Sequence, residues 1–435
     1  MEFLELPLEL LSDILSHLAK PQHIAAACRV NKSFYEFGTP RLYERASIYS
    51  WHKRAKTTVV SLFNTLAHYP HLAKYILKLE IRDFPKSMAT DDLDALVLSG
   101  LKNCVNLKSC TWTRDGALNS AILSVLQASN TLAELEINGH SDGHYDARIL
   151  ADFSHLRNLT LICKMSPLVT DNVLEALAPG LMHLEQFSIT GCPRVSHLGI
   201  WAVVSQNSTG LRALGLEGLS QRFNLAALAA LCAEGPALAS LTSLTLSVHT
   251  EAWLTSVSVL LAGAPLEVFQ IYATSAFVQT TAMEAFWRNL VTAHGPRLTR
   301  FSVHRMLVSL PTIEDVCMRC PALTQLFVVV DPGALGPLAG CLSRARRLAT
   351  VHVNFQYRPT DDWLAGEAPS VLKAPEALAI VRRCPETIAL FGCNARVWQV
   401  ERQIRRNEDG ELVAERFLAK YDSPDIPEQF LVVRT

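Results

Sequence analysis

At 435 residues, with 49% hydrophobic and 19% charged side chains, the chain has enough apolar material for a continuous core and too little polarity for long disorder. Its 40 Lys and Arg balance 41 Asp and Glu, which excludes the cationic surplus that phosphate backbones or anionic bilayers demand, so neither nucleic acid nor membrane is expected as a partner. Acidic residues stand where a secretory signal needs base, no apolar run is long enough for a membrane span, and eleven scattered cysteines lie in apolar surroundings, so a cytoplasmic or nuclear protein with reduced thiols is expected.

The first predicted element starts at Pro7, where the missing N–H costs nothing, and places Leu11, Ile14, Leu15 and Leu18 on one helical stripe. Pro21 opens a second helix with Ile24, Ala27 and Cys28 inward, and Asn31 offers a cap for a third around Phe34. Three short helices bury little surface by themselves, so an uncovered apolar stripe implies a partner or an adjoining domain.

These residues resemble the F-box family. The resemblance rests on Leu6-Pro7-Leu8-Glu9, Ile14-Leu15, the Pro-initiated second helix, the stretch from Cys28 to Tyr35, and Leu42-Tyr43. Phe34 stands where a Trp is common, and Leu42-Tyr43 replaces the terminal Leu-Trp, a form similar to fungal members. The resemblance implies a Skp-type adaptor, and through it a cullin–RING ubiquitin ligase, as partner. It implies Leu6, Pro7, Leu10, Ile14, Leu15, Ile24, Val30, Phe34 and Leu42 as adaptor-binding residues. The plainer alternative is that the helices only cap the following domain.

From Leu107 a pattern Leu-x-x-apolar-x-apolar recurs ten times, starting at Leu107, Leu132, Leu156, Leu184, Leu211, Leu241, Leu266, Leu298, Leu323 and Leu348. Between these lie segments of helical periodicity at 118–127, 173–177, 200–204, 225–232 and 283–291, so the unit is a strand followed by a helix. This is the leucine-rich-repeat design, an α/β solenoid with parallel strands on the concave face and helices on the convex face. The stretch from Leu184 to Ile200 resembles the cysteine-containing repeat of F-box partners. Leu77 to Ile81 reads as an atypical first strand. After Leu348 a Pro-rich stretch leads to a helix near Pro375–Arg383, a last strand at 388–391, and alternation over 396–402 that returns from Glu411 to Tyr421 after a turn at 407–410: a β-hairpin cap in which Trp398 serves as core. The expected organisation is an F-box at 1–48, linker helices and a first repeat at 49–106, the solenoid at 107–391, and the cap and tail at 392–435.

The third, fifth and seventh pattern positions point to the open strand face. That face reads as mildly acidic early (Glu134, Glu136, Glu217) and aromatic-basic late. Tyr272, Arg300, His304, Phe327 and His352 are the expected target-binding residues, with Val329 exposed beside them. No phosphate loop, HExxH or nucleophile elbow occurs, and Cys317 and Cys320 form a lone pair at helical spacing, read as buried thiols. No catalytic residue, metal site or cofactor is expected. The function implied is that of a non-catalytic substrate receptor for an unidentified protein target; the alternative is a repeat scaffold or inhibitor acting outside any ligase.

Overall fold

The structure is a computed structural model that describes residues 7–18, 20–85, 91–114, 116–138, 145–163, 168–208, 210–220, 222–275, 277, 279–355, 372–406 and 411–421. Leu6 and the expected turn at 407–410 lie outside these residues. The chain divides into two compact units: Met1–Leu211 with Gly218–Asn224, and Arg212–Glu217 with Leu225–Thr435.

In the first unit three helices, α1 (Leu10–Ser16), α2 (Pro21–Ala27) and α3 (Lys32–Glu44), are followed by β1 (Arg45–Ile48), α4 (Ala55–His68), α5 (Pro70–Ala73) and β2 (Lys78–Ile81). Then come α6 (Asp91–Asn103), β3 (Ser109–Trp112), α7 (Ser120–Gln127), β4 (Glu134–Asn138), β5 (Asn158–Ile162), α8 (Asp171–Leu177), β6 (Gln186–Thr190) and α9 (His197–Gln206). Strands β1 to β6 pair in parallel, each with the next.

The second unit holds β7 (Ala213–Glu217), α10 (Leu225–Ala233), β8 (Ser243–Val248), α11 (Ala252–Leu260), β9 (Val268–Ala273), α12 (Thr281–His294) and β10 (Arg300–Leu307). It continues with α13 (Leu310–Arg319), β11 (Gln325–Val330), α14 (Leu335–Leu342), β12 (Thr350–Phe355), α15 (Ala374–Arg383) and β13 (Leu390–Cys393). Strands β7 to β13 are parallel, and β14 (Arg396–Arg406) and β15 (Leu412–Lys420) close the unit as an antiparallel hairpin on β13.

The repeat pattern dictates this arrangement directly. Each strand from β3 to β12 begins at the third position of its six-residue motif, and all thirty leucine, fourth and sixth positions are buried. Alternation sends the fourth and sixth side chains to one side, where helix side chains meet them: Phe63 of α4 packs on Trp112 at 5.9 Å, and Trp287 of α12 on Phe301 at 5.6 Å. A fully buried large side chain contributes about 2–3 kcal/mol, so the thirty positions carry the fold.

One strand was not visible in the sequence. β1 follows α3 with no intervening residue, within the span expected to be F-box alone, and pairs Arg45 with Lys78 and Ile48 with Ile81. Helix α1 also begins later than the prolyl signal indicates: Pro7 to Glu9 form a turn closed by Leu10 N–H on the Pro7 carbonyl at 3.1 Å.

Candidate binding surfaces

Within the N-terminal helices, Leu11, Leu15 and Ile24 form the small core, and Gly38 lets α3 approach α2 so closely that a Cβ there would meet Cys28 Sγ at 2.6 Å. Asn31 caps α3 by accepting from Phe34 N–H at 2.9 Å. The expected apolar stripe therefore divides in two. Leu11 and Leu15 face inward, whereas Leu10 and Ile14, one turn apart, face solvent with Ile14 40% exposed. Of the adaptor-binding residues expected from the sequence, Pro7, Leu10, Ile14 and Val30 are exposed, Phe34 and Leu42 are half-buried, and Leu15 and Ile24 are enclosed by the module and support it rather than present a surface. Leu8 and Tyr35, which the sequence reading passed over, are also exposed. Their signal was available: Leu8 lies in the turn before α1 and Tyr35 in the first turn of α3.

On the open strand face of the first unit, charge is matched strand to strand. Arg45 donates to Glu80 at 2.7 Å, Arg82 holds Glu136 in a two-pronged contact at 3.2 and 3.0 Å, and Arg114 lies 3.7 Å from Asp83. Burial pushes the Glu80 carboxyl up, but hydrogen bonds from Ser47 and Arg45 and the Arg45 charge outweigh it and hold the group below the ordinary range. Of the glutamates read as a mildly acidic face, Glu136 has its carboxylate taken by Arg82, whereas Glu134 stays exposed.

In the second unit the structure brings all five expected target-binding residues into one cluster on neighbouring strands. Tyr272 of β9 pairs with His304 of β10, and Phe327 of β11 with His352 of β12. The Tyr272 and His304 rings stack at 4.6 Å, Phe327 meets His304 and His352 at 6.4 Å on either side, and the Arg300 guanidinium lies 5.7 Å over Phe327. The exposure expected for these rings is corrected. Phe327 is 1% and His352 3% exposed, His304 and Tyr272 are buried, and so is Val329. Each ring is flanked by a ring of an adjacent strand, so the accessible part is a polar rim of Gln270, Arg300, Gln325 and Asn354.

Nor are the two histidines basic. Burial pushes His304 down to about 3, aided by His352, Arg305 and Arg300, and pushes His352 down to about 4 against the hydrogen bonds that its ring donates to Asn354 Oδ1 and to the Asn394 backbone. His304 Nε2 shares a 2.6 Å hydrogen bond with Ser302 Oγ. Beside them β10 bulges: Ser302 pairs with Phe327 and Leu307 with Val329, and Arg305 in the bulge takes a left-handed φ of 60° and is exposed. Bulges re-aim side chains at the edge of functional surfaces, and no periodicity in the sequence announces this one.

Cys317 and Cys320 are buried in α13 and its cap, their thiols pushed up by burial, above the ordinary range. Among the described residues no cluster of three or more His, Cys, Asp or Glu could hold a metal ion, and no helix is long and apolar enough to cross a membrane.

Residues 3–49 match the F-box-like family. No curated protein matches the sequence. Among solved structures, the yeast Rad7 and Elc1 complex contains a chain that is 18% identical, with 78% of this chain and 88% of that chain covered at a TM-score of 0.45. The N-terminal match agrees with the three-helix module in extent, and the parallel strands with the repeat pattern. The chain thus carries an F-box-like domain at residues 3–49, followed by leucine-rich strand–helix repeats of α/β type, the last of which are closed by an antiparallel hairpin.

Proposed function

We propose that the protein is the substrate-recognition subunit of an SCF-type ubiquitin ligase. The F-box-like domain docks on a Skp-type adaptor, and through it on a cullin–RING ligase, while the strand face of the repeats holds a protein target. The observation that carries this reading is the exposure of Leu10, Ile14 and Val30 on a module whose own core consists of Leu11, Leu15 and Ile24. Apolar side chains left on so small a unit are covered by a partner. Pro7, Phe34 and Leu42 belong to the same docking surface, with Leu6 ahead of them in the chain. Tyr272, His304, Phe327 and His352 form the floor of the target surface, and Arg300, with Gln270, Gln325 and Asn354, forms the rim through which it is reached. In this reading the chain supplies proximity and no chemistry: it raises the local concentration of a target lysine near a charged ubiquitin carrier.

The test is copurification of the Skp-type adaptor at native expression levels. Ile14→Asp places a carboxylate in the docking surface, and an uncompensated buried charge of about 3 kcal/mol corresponds to a loss of roughly 100-fold in affinity. Because Ile14 faces solvent in the free chain, the melting temperature should not change. A wild-type chain that never retains the adaptor would sink the reading.

A further inference from the structure

Between Glu44 and Glu80 the sequence contains no Asp or Glu, yet it contains Arg45, Lys53, Arg54, Lys56, Lys74 and Lys78. In a chain whose charges otherwise balance, this is a local cationic segment. The structure concentrates half of it on the loop between β1 and α4 and the first turn of that helix. Lys53, Arg54 and Lys56 are all exposed there, and no acidic side chain among the described residues pairs with them.

At the centre of this loop stands Trp51, 63% exposed, the largest of the exposed hydrophobic side chains among the described residues. It is held rather than loose. Its ring stacks on that of buried Tyr49 at 4.6 Å and 8°, and His52 stands edge-on against both rings at 5.2 and 6.3 Å. Tyr49 is fixed in turn, its hydroxyl within 3.4 Å of Arg45 Nη2 and its carbonyl accepting from His52 N–H at 3.0 Å. Arg54 adopts a left-handed φ of 61°, a conformation costly to a side chain with a Cβ. A rigid exposed indole followed within five residues by three exposed cations is the composition of an interface anchor, and charges of one sign select a partner of the other.

The position of the loop decides between the two partners of a substrate receptor. α3 delivers the F-box-like module to the amino end of β1, and the Trp51 loop leaves from its carboxyl end, so the four-residue strand, about 13 Å long, separates them. The carboxyl ends of β2 and β3 lead to Arg82, Asp83 and Arg114, on the same edge as the Trp51 loop.

We propose that the segment from Tyr49 to Lys56 is a dock for an acidic segment of the protein target, with Trp51 covering an apolar side chain and Lys53, Arg54 and Lys56 receiving carboxylates that follow it. This inference rests on the substrate-receptor reading for the identity of the occupant, and its test is separable from that reading. The probe is a fluorescein-labelled glutamate-rich peptide that carries phenylalanine, titrated into the full-length chain, with a glutamine counterpart as control. The glutamate peptide should bind and weaken with added salt. Trp51→Ala and the triple variant K53E/R54E/K56E should each lose about tenfold or more in affinity. Arg54→Gly, which relieves the left-handed strain, should weaken binding while keeping the fold. Adaptor copurification should be the same for all of them. Equal binding of both peptides, or unchanged binding in the variants, overturns the dock. So does loss of the adaptor in the Trp51 variant, which would assign the loop to the F-box interface, and so does tighter binding of a single-stranded oligonucleotide than of the peptide.

Discussion

His304 and His352 show how one residue's environment becomes a property of its whole unit. Both rings are buried on the strand face, and both are held neutral, His304 at about 3 and His352 at about 4. The fit around His352 is tight enough that Gly392, its partner on β13, could not carry a Cβ, which would lie 2.0 Å from Nδ1. In the unfolded chain both imidazoles titrate near 6.5, so below that pH the unfolded state takes up protons that the folded state refuses. The stabilisation from the neutral rings is complete above about 6.5 and declines as the pH falls toward the folded values. At pH 5 the loss is about 2 kcal/mol per histidine, before most carboxylates titrate. Melting curves at pH 7 and pH 5 should therefore show a drop for wild type that is clearly smaller in the His304→Gln, His352→Gln double variant. Equal drops in the two proteins would mean that these rings accept protons in the folded state.

At the scale of elements, the repeats are stitched by side chains that cap a neighbour's helix. In the first unit Asp171, in the first turn of α8, accepts from Ser196 N–H at 2.8 Å and from Gly199 N–H at 3.2 Å at the start of α9. Gly199 must remain without a Cβ, because one would lie 2.5 Å from the Asp171 carboxylate. In the second unit Arg416 of β15 donates to the carbonyls of Val381, Cys384 and Pro385 at 3.0 to 3.2 Å and to that of Arg382 at 3.1 Å, at the carboxyl end of α15. A planar fork of donors suits this cluster of orphan carbonyls, and a lysine cannot reproduce it. Arg416→Lys should accordingly raise amide exchange in β15 and at the end of α15 while leaving β7 to β12 protected, whereas uniform protection across the unit would show the cap to be dispensable. The strands themselves were legible in the sequence, because leucine, fourth and sixth positions must all be buried and a six-residue pattern records that. β1 was not, since Ala46 and Ile48 are its only apolar residues and follow a helix without a break. The ring cluster was legible as a set of residues but not as a buried one: lateral contact among Tyr272, His304, Phe327 and His352 depends on strand register, which the sequence of a single repeat does not contain. The divided face of α1 escaped for the same reason, because only the arrival of α3 decides which of Ile14 and Leu15 turns inward.

At the scale of the molecule, the junction between the F-box-like module and the first repeat would decide, in the proposed ligase, how a bound target is presented. α3 ends at Glu44 and β1 begins at Arg45, with β1 pairing to β2 and α3 also packing on α5. A helix that continues directly into a sheet strand transmits position, whereas a flexible linker transmits only attachment, and effective concentration falls as the tether lengthens. In the proposed ligase, this junction fixes the Trp51 loop with respect to the adaptor-binding face. Inserting a Gly-Ser segment of about six residues between Glu44 and Arg45 leaves Arg45 to Ile48 free to pair with β2 and leaves Leu10, Ile14 and Val30 exposed. Adaptor copurification and acidic-peptide binding should both survive the insertion. Ubiquitin transfer to a target held by the repeats should slow by about tenfold, as a held geometry gives way to a tethered one. If the inserted chain modifies its target as fast as the parent does, then the direct junction serves folding alone, and flexibility elsewhere in the complex sets the reach to the lysine.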